Sequence, residues 1–189
     1  MEVPLFPVNT VLFPDGPLPL RIFEPRYIDM VSRCMKDDTP FGVVLIREGE
    51  EVGPASTRDV GTLARIVDWY QGSDGLLGIT AIGADRFRLR SSVPQHDGLN
   101  VGEVDRIPTP SPIPLPDVHR DLPQVLLPIL DDLGRLYENV ERRPDDAAWV
   151  AWRFIEILPI DLREKQRVLE SDDVLATLEL VERVLHSDS

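Results

Sequence analysis

The sequence predicts an α+β chain, with strands first and helices after. Up to about residue 107, short apolar stretches rich in Val, Ile, Leu and Phe recur between Gly, Pro and Asp, as in a compact β-rich domain. After residue 116 the apolar period changes to that of helices. Between them, Ile107 to Pro116 reads IPTPSPIPLP, with proline at every second position, which removes amide donors and holds the chain extended. The division is therefore a β subdomain over 1–107, a stiff connector over 108–116 and a helical bundle over 117–189. The connector also has the composition of a polyproline ligand for a proline-binding domain.

The expected strands are Val3 to Phe6, Leu18 to Phe23, Phe41 to Arg47, Gly61 to Tyr70, Leu76 to Leu89 with a break near Gly83, and Leu99 to Ile107. In the fifth, Arg86, Phe87, Arg88, Leu89 and Arg90 alternate, placing arginines on one face and apolar groups on the other. Turns are expected at Gly49 to Gly53, Gly72 to Gly75 and Asp97 to Gly98. A helix interrupts the strands at Pro25, which suits a first helical position because it has no amide hydrogen to leave unmatched. Ile28, Val31 and Met35 form its apolar face, with Cys34 beside them as a small buried hydrophobe.

In the second part, Leu122, Val125, Leu126, Ile129, Leu133, Leu136, Tyr137 and Val140 describe one long amphipathic helix, with a kink at Pro128. A helix after Pro144 is apolar on nearly all sides and reads as the central one. Asp161 with Glu164 resembles a capping box for a third helix, with Leu162, Val168 and Leu169 facing inward. A fourth, with Val174, Leu175, Leu178, Val181 and Leu185, ends at a polar tail from His186 to Ser189.

Charge restricts function. The 189 residues carry 20 Lys and Arg against 33 Asp and Glu, a net charge of -13 that repels phosphate backbones and anionic headgroups. Both parts share it: 11 basic and 16 acidic side chains up to residue 116, then 9 and 17. Nucleic acid and membrane are accordingly not expected partners. Apolar runs fall short of the roughly 18 residues of a membrane span, and the proline-broken start MEVPLFPVNTVLFPDG resembles neither a signal nor a transit peptide. A cytoplasmic location is expected.

Reactive constellations are missing. The lone Cys34 forms no disulfide within the chain and no multi-cysteine metal site. His96, His119 and His186 are too scattered for a shared metal. The pairs Asp145–Asp146 and Asp172–Asp173 sit where helix starts favour negative charge. No serine lies in a Gly-x-Ser-x-Gly elbow, and GSDGLLGITAIG, Gly72 to Gly83, matches no phosphate-binding loop. No metal, cofactor or catalytic residue is expected.

Most distinctive is PLFPVNTVLFPDGPLPLRIFEPRYIDM, Pro4 to Met30. With its PLFP, VLFP and LPLRIFEPRY segments it resembles the opening of the substrate-recognition domain at the amino terminus of Lon proteases. That domain also occurs as a free-standing protein and is related to the ligand-binding region of cereblon. FGVV (Phe41 to Val44), EVG (Glu51 to Gly53), VGT (Val60 to Thr62), GADRF (Gly83 to Phe87) and KQRVLE (Lys165 to Glu170) follow in the family's order.

This resemblance implies a PUA-like six-stranded β pseudobarrel with an inserted helix, then a helical bundle. It implies a non-catalytic module that binds unfolded or apolar polypeptide segments, an adaptor in proteolysis or quality control alongside an ATP-dependent protease. The ATPase and Ser-Lys protease domains of a complete Lon are not expected here. A cereblon-like small-molecule pocket and a PUA-like RNA site are the alternative readings. A polypeptide groove is expected between barrel and bundle, with Leu5, Phe6, Leu12, Phe13, Trp69 and Tyr70 as lining candidates that also read as ordinary core. Arg21, Glu24 and Arg26 either fix the strand-to-helix corner through an ion pair or turn an arginine towards a substrate backbone or carboxylate. Phe23 is assigned to the core, and Tyr27 to core or groove.

Overall fold

The computed structural model describes residues 1–49 and 55–187. The turn expected at Gly49 to Gly53 and the EVG segment fall largely outside the described residues. Two compact units divide the chain, Met1–Thr109 and Pro110–Ser189.

The first unit is a seven-stranded mixed sheet carrying one helix: β1 Glu2–Val8, β2 Pro17–Ile22, α1 Pro25–Asp37, β3 Phe41–Gly49, β4 Ala55–Thr57, β5 Val60–Gln71, β6 Leu77–Pro94 and β7 Asn100–Ile107. Six strands coincide with the expected stretches, and the three-residue β4 is additional. β1 pairs with β7 and β3, β3 with β5, β5 with β6, and β6 with β7, so these five strands close into a ring. β2 stands outside this ring and pairs with β6. A closed ring removes most exposed strand edges, and β2 retains one.

The short glycine motifs mark places where chains come too close for a side chain. Gly61 packs against the Val43 carbonyl, and Gly83 against the Phe13 carbonyl. At Gly83 the expected break is instead a change of partner within a continuous β6. Its N–H donates to Gly16 O at 2.9 Å and its carbonyl accepts from Asp15 N at 2.8 Å, so the loop before β2 is tied down there. Thr62, fully buried, donates to the Leu12 carbonyl at 2.6 Å. Arg86 departs from the expected exposed arginine face: it is buried together with Phe87, and only Arg88 and Arg90 face outward.

Pro25 does begin α1, but the buried face is Tyr27, Met30, Val31 and Cys34, whereas Ile28 and Met35 are exposed. The inward stripe is turned by about one position, because the Tyr27 ring and Cys34 fill core space that hydropathy alone assigns to their neighbours. Burial pushes the Cys34 thiol above its ordinary range, against the pull of a Thr39 hydrogen bond and of Arg33. An elevated thiol is a poor nucleophile at neutral pH.

The second unit comprises α2 Leu122–Asp132, α3 Ala147–Ile157, α4 Leu162–Glu170 and α5 Val174–Ser187. The single long helix expected over Leu122 to Val140 is replaced by α2 and a separate 3-10 turn, Gly134–Tyr137. Gly134 has a φ of +54°, which stops the α-helix. Leu122, Leu126 and Leu130 face inward, leaving Val125, Ile129 and Leu133 exposed. α3 is buried on nearly every side, with Trp149 and Trp152 both internal. Asp146, Asp161 and Asp173 accept from Ala148 N, Glu164 N and Ala176 N, so the acidic residues cap the starts of α3, α4 and α5. Leu162 is only half-buried, and α5 continues through His186 to Ser187. The proline-rich stretch runs beside the start of α3, with Pro114 bridged to Asp146 and Leu115 N bonded to Asp145 O at 2.8 Å.

Candidate functional site

A cavity of about 340 Å³ opens in the first unit where β1, β2 and the start of α1 meet. Phe6 and Val8 of β1 line it, with Leu18, Leu20 and Ile22 of β2, Phe23 just beyond, and Tyr27 of α1. Its floor is the surface of the main core, to which Phe6, Val8, Leu18, Ile22 and Tyr27 belong. The Phe6 and Tyr27 rings lie 4.3 Å apart at 35°, and Phe6 reaches Phe41 at 6.1 Å, so the aromatic floor is fixed from below.

Charge sits at the rim and is matched there. Arg26 donates from Nε to Glu24 Oε2 at 2.9 Å and from Nη1 to the Gly98 carbonyl at 2.7 Å. Its guanidinium also covers the Tyr27 ring at 4.7 Å. Arg26 is thus a clamp between the start of α1 and the β6–β7 turn, holding Tyr27 in place. Arg21 pairs with Asp74 in the β5–β6 turn, and not with Glu24. That pair is exposed, and such pairs add little to stability, about 0–1 kcal/mol, while leaving the charge matched.

The structure brings Phe6, Arg21 and Tyr27 of the expected site residues together at this cavity, with Arg26 directly behind. The others lie elsewhere. Leu5 packs in a second core cluster with Val3, Val44, Leu63, Phe87 and Val104. Phe13 is fully buried, and Leu12 belongs to the main core. Trp69 and Tyr70 are exposed on β5, where the Tyr70 ring lies over Gly78. Phe23, assigned to the core from sequence, is 54 % exposed at the cavity mouth. Its position was readable: the alternation from Leu18 puts Phe23 on the same side as Pro19 and Arg21. Nothing in the sequence marks Val8, Leu18, Leu20 and Ile22 as lining residues beyond the prolines at 17 and 19, which signal an edge strand.

Other cavities differ in chemistry. Clefts of about 430 and 500 Å³ in the second unit carry Glu164, Arg167, Asp173 and Arg183, and His119, Glu179, Glu182 and Arg183. His119 is bonded there to Glu182 at 3.0 Å. Among the described residues, no three His, Cys, Asp or Glu side chains gather to hold a metal ion, and no helix is long and apolar enough to cross a membrane.

The LON substrate-binding domain of ATP-dependent protease La matches residues 2–187. Over 97 % of its length the chain is 26 % identical to Lon protease 2 of Myxococcus xanthus, covering 23 % of that protein. Over 65 % of its length it is 29 % identical to cereblon of Danio rerio, covering 31 % of it. It thus spans about a quarter to a third of these curated relatives. Among solved structures, a Lon N-terminal domain protein from Xanthomonas campestris superposes with a TM-score of 0.78 at 35 % identity, covering 97 % of this chain and 98 % of that one. The N-terminal domain of a Mycobacterium avium complex Lon protease shares the fold at 17 % identity and a TM-score of 0.64, over 97 % of both chains. The sheet carrying one helix and the helices that follow are those of this fold, and the chain belongs to the family of the LON substrate-binding domain.

Proposed function

We propose that the chain is a non-catalytic binding module whose site is the cavity between β1, β2 and α1, and that its ligand is an apolar segment of another polypeptide. One observation supports this above others: an open, aromatic-floored cavity of about 340 Å³ whose rim charges, Arg21 and Glu24, are already partnered. Such a wall gains by covering apolar side chains and offers no uncompensated charge to a charged ligand. The family's description as a substrate-binding domain agrees with it. In this reading the module acts in the cytoplasm and delivers clients to an ATP-dependent protease.

Phe23→Asp tests the site. The side chain is more than half exposed, so folding is retained, while a carboxylate at the mouth removes an apolar contact and adds a charge. Peptide affinity, measured by fluorescence anisotropy with a labelled apolar peptide, is expected to fall by about tenfold or more. Unchanged affinity in a folded variant places the binding surface elsewhere.

A further inference from the structure

We propose that the bound segment lies across this cavity as an added β-strand on the outward edge of β2, a mode that rests on the cavity being the segment's site. The five-strand ring closes without β2, which pairs with β6 alone among the described strands. Beyond Pro4, β1 has also left β7 and, among the described strands, pairs with β3 alone. The barrel is therefore open between β1 and β2, and the cavity lies along that opening.

The backbone phase of β2 can be read from its start. Gly16 stands opposite Gly83 on the continuation of the β2–β6 ladder, and its carbonyl accepts from Gly83 N at 2.9 Å. Residues 18, 20 and 22 therefore turn their amides and carbonyls to β6, and residues 17, 19 and 21 turn theirs outward. Two of the three outward residues are proline, which has no N–H to leave unmatched there. The outward edge consequently presents three carbonyl acceptors and one donor, the amide of Arg21. An acceptor-rich edge is completed by a strand that supplies N–H groups at alternate positions, and its side chains then fall alternately into the cavity and away from it.

Charge completes the description of the occupant. Across the cavity the segment is uncharged, because Arg21 and Glu24 are already paired with Asp74 and Arg26. Outside the cavity, a chain of net charge -13 favours basic flanks. The partner is an extended stretch of another polypeptide, apolar at alternate positions, free of proline where it faces β2 and flanked by Lys or Arg.

The test separates backbone from side chains. A labelled peptide with Val-Leu-Phe-Val-Leu between paired lysines is titrated with the full chain by anisotropy, unmodified and with backbone N-methyl groups at either odd or even positions. One methylated set is expected to lose about fivefold per blocked N–H, and the other to stay within about twofold of the parent. Equal effects of both sets, or none from either, with the parent still bound, would overturn strand addition and leave the cavity as the site. Failure of the unmodified peptide to bind would remove both readings together.

Discussion

Replacing Arg153 with methionine is expected to destabilise the second unit by about 3–5 kcal/mol at pH 7, the usual effect of stranding one partner of a buried ion pair. Arg153 is fully buried on α3 and holds Glu156 through two bonds, Nε to Oε2 at 2.8 Å and Nη2 to Oε1 at 2.6 Å. Tyr137 donates to the same carboxylate at 3.0 Å, and Lys165 Nζ donates to the Glu156 carbonyl at 3.0 Å. Four residues from α3, α4 and the 3-10 turn thus share one polar cluster. Burial holds the Glu156 carboxyl above its ordinary range, even against Arg153, Tyr137 and Lys165. It also pushes the Tyr137 phenol far up, so that group remains a donor at neutral pH.

That direction gives the variant a pH signature. Without Arg153, the folded-state pKa of Glu156 rises further above its unfolded value. The folded state then binds a proton that the unfolded state has released, and stability increases as pH falls through that window. Urea unfolding followed by tryptophan fluorescence is therefore expected to show a large deficit at pH 7 and a smaller one at pH 5. Equal deficits at both would mean that the ion pair is not what Arg153 contributes.

Gly83→Ala is the second large effect. An added methyl would overlap the Phe13 carbonyl oxygen, a backbone atom that cannot rotate away. Gly83 cannot retreat either, because its amide and carbonyl are both bonded, to Gly16 and Asp15. Overpacking of this kind costs about 1–3 kcal/mol, and the pinned geometry puts this site at the upper end. Because Gly83 fixes the start of β2, weaker peptide binding is expected to accompany the lower melting temperature. A variant with wild-type stability would show that the loop before β2 adapts freely.

These two sites show what the sequence discloses and what it leaves out. Gly83 sits in a motif that marks it, and Pro25 and Asp161 mark helix starts, because each acts through its own backbone geometry. Strand spans were legible for the same local reason. Choosing between Ile28 and Tyr27 for the buried face was not, since α1 offers apolar groups on adjacent stripes and only the surrounding core selects one. The partners of Arg21 and Arg26 were likewise set by register: Asp74 lies in a turn that the β2–β6 pairing brings near, and Gly98 is 72 residues away from Arg26. The end of α2 depended on a positive φ at Gly134, which residue type permits but does not require.

Whether apolar polypeptide is held at β2 can be read directly by photo-crosslinking. The peptide carries a benzophenone at an apolar position and is irradiated with the chain, and the adducts are located by mass spectrometry. Adducts are expected on Leu18 to Phe23 and on Tyr27, and they should diminish in Phe23→Asp. The competing apolar surfaces are the exposed stripe of Val125, Ile129 and Leu133 on α2 and the pair Trp69 and Tyr70 on β5. Adducts concentrated on either of those, with β2 unlabelled, would contradict the assignment of the site.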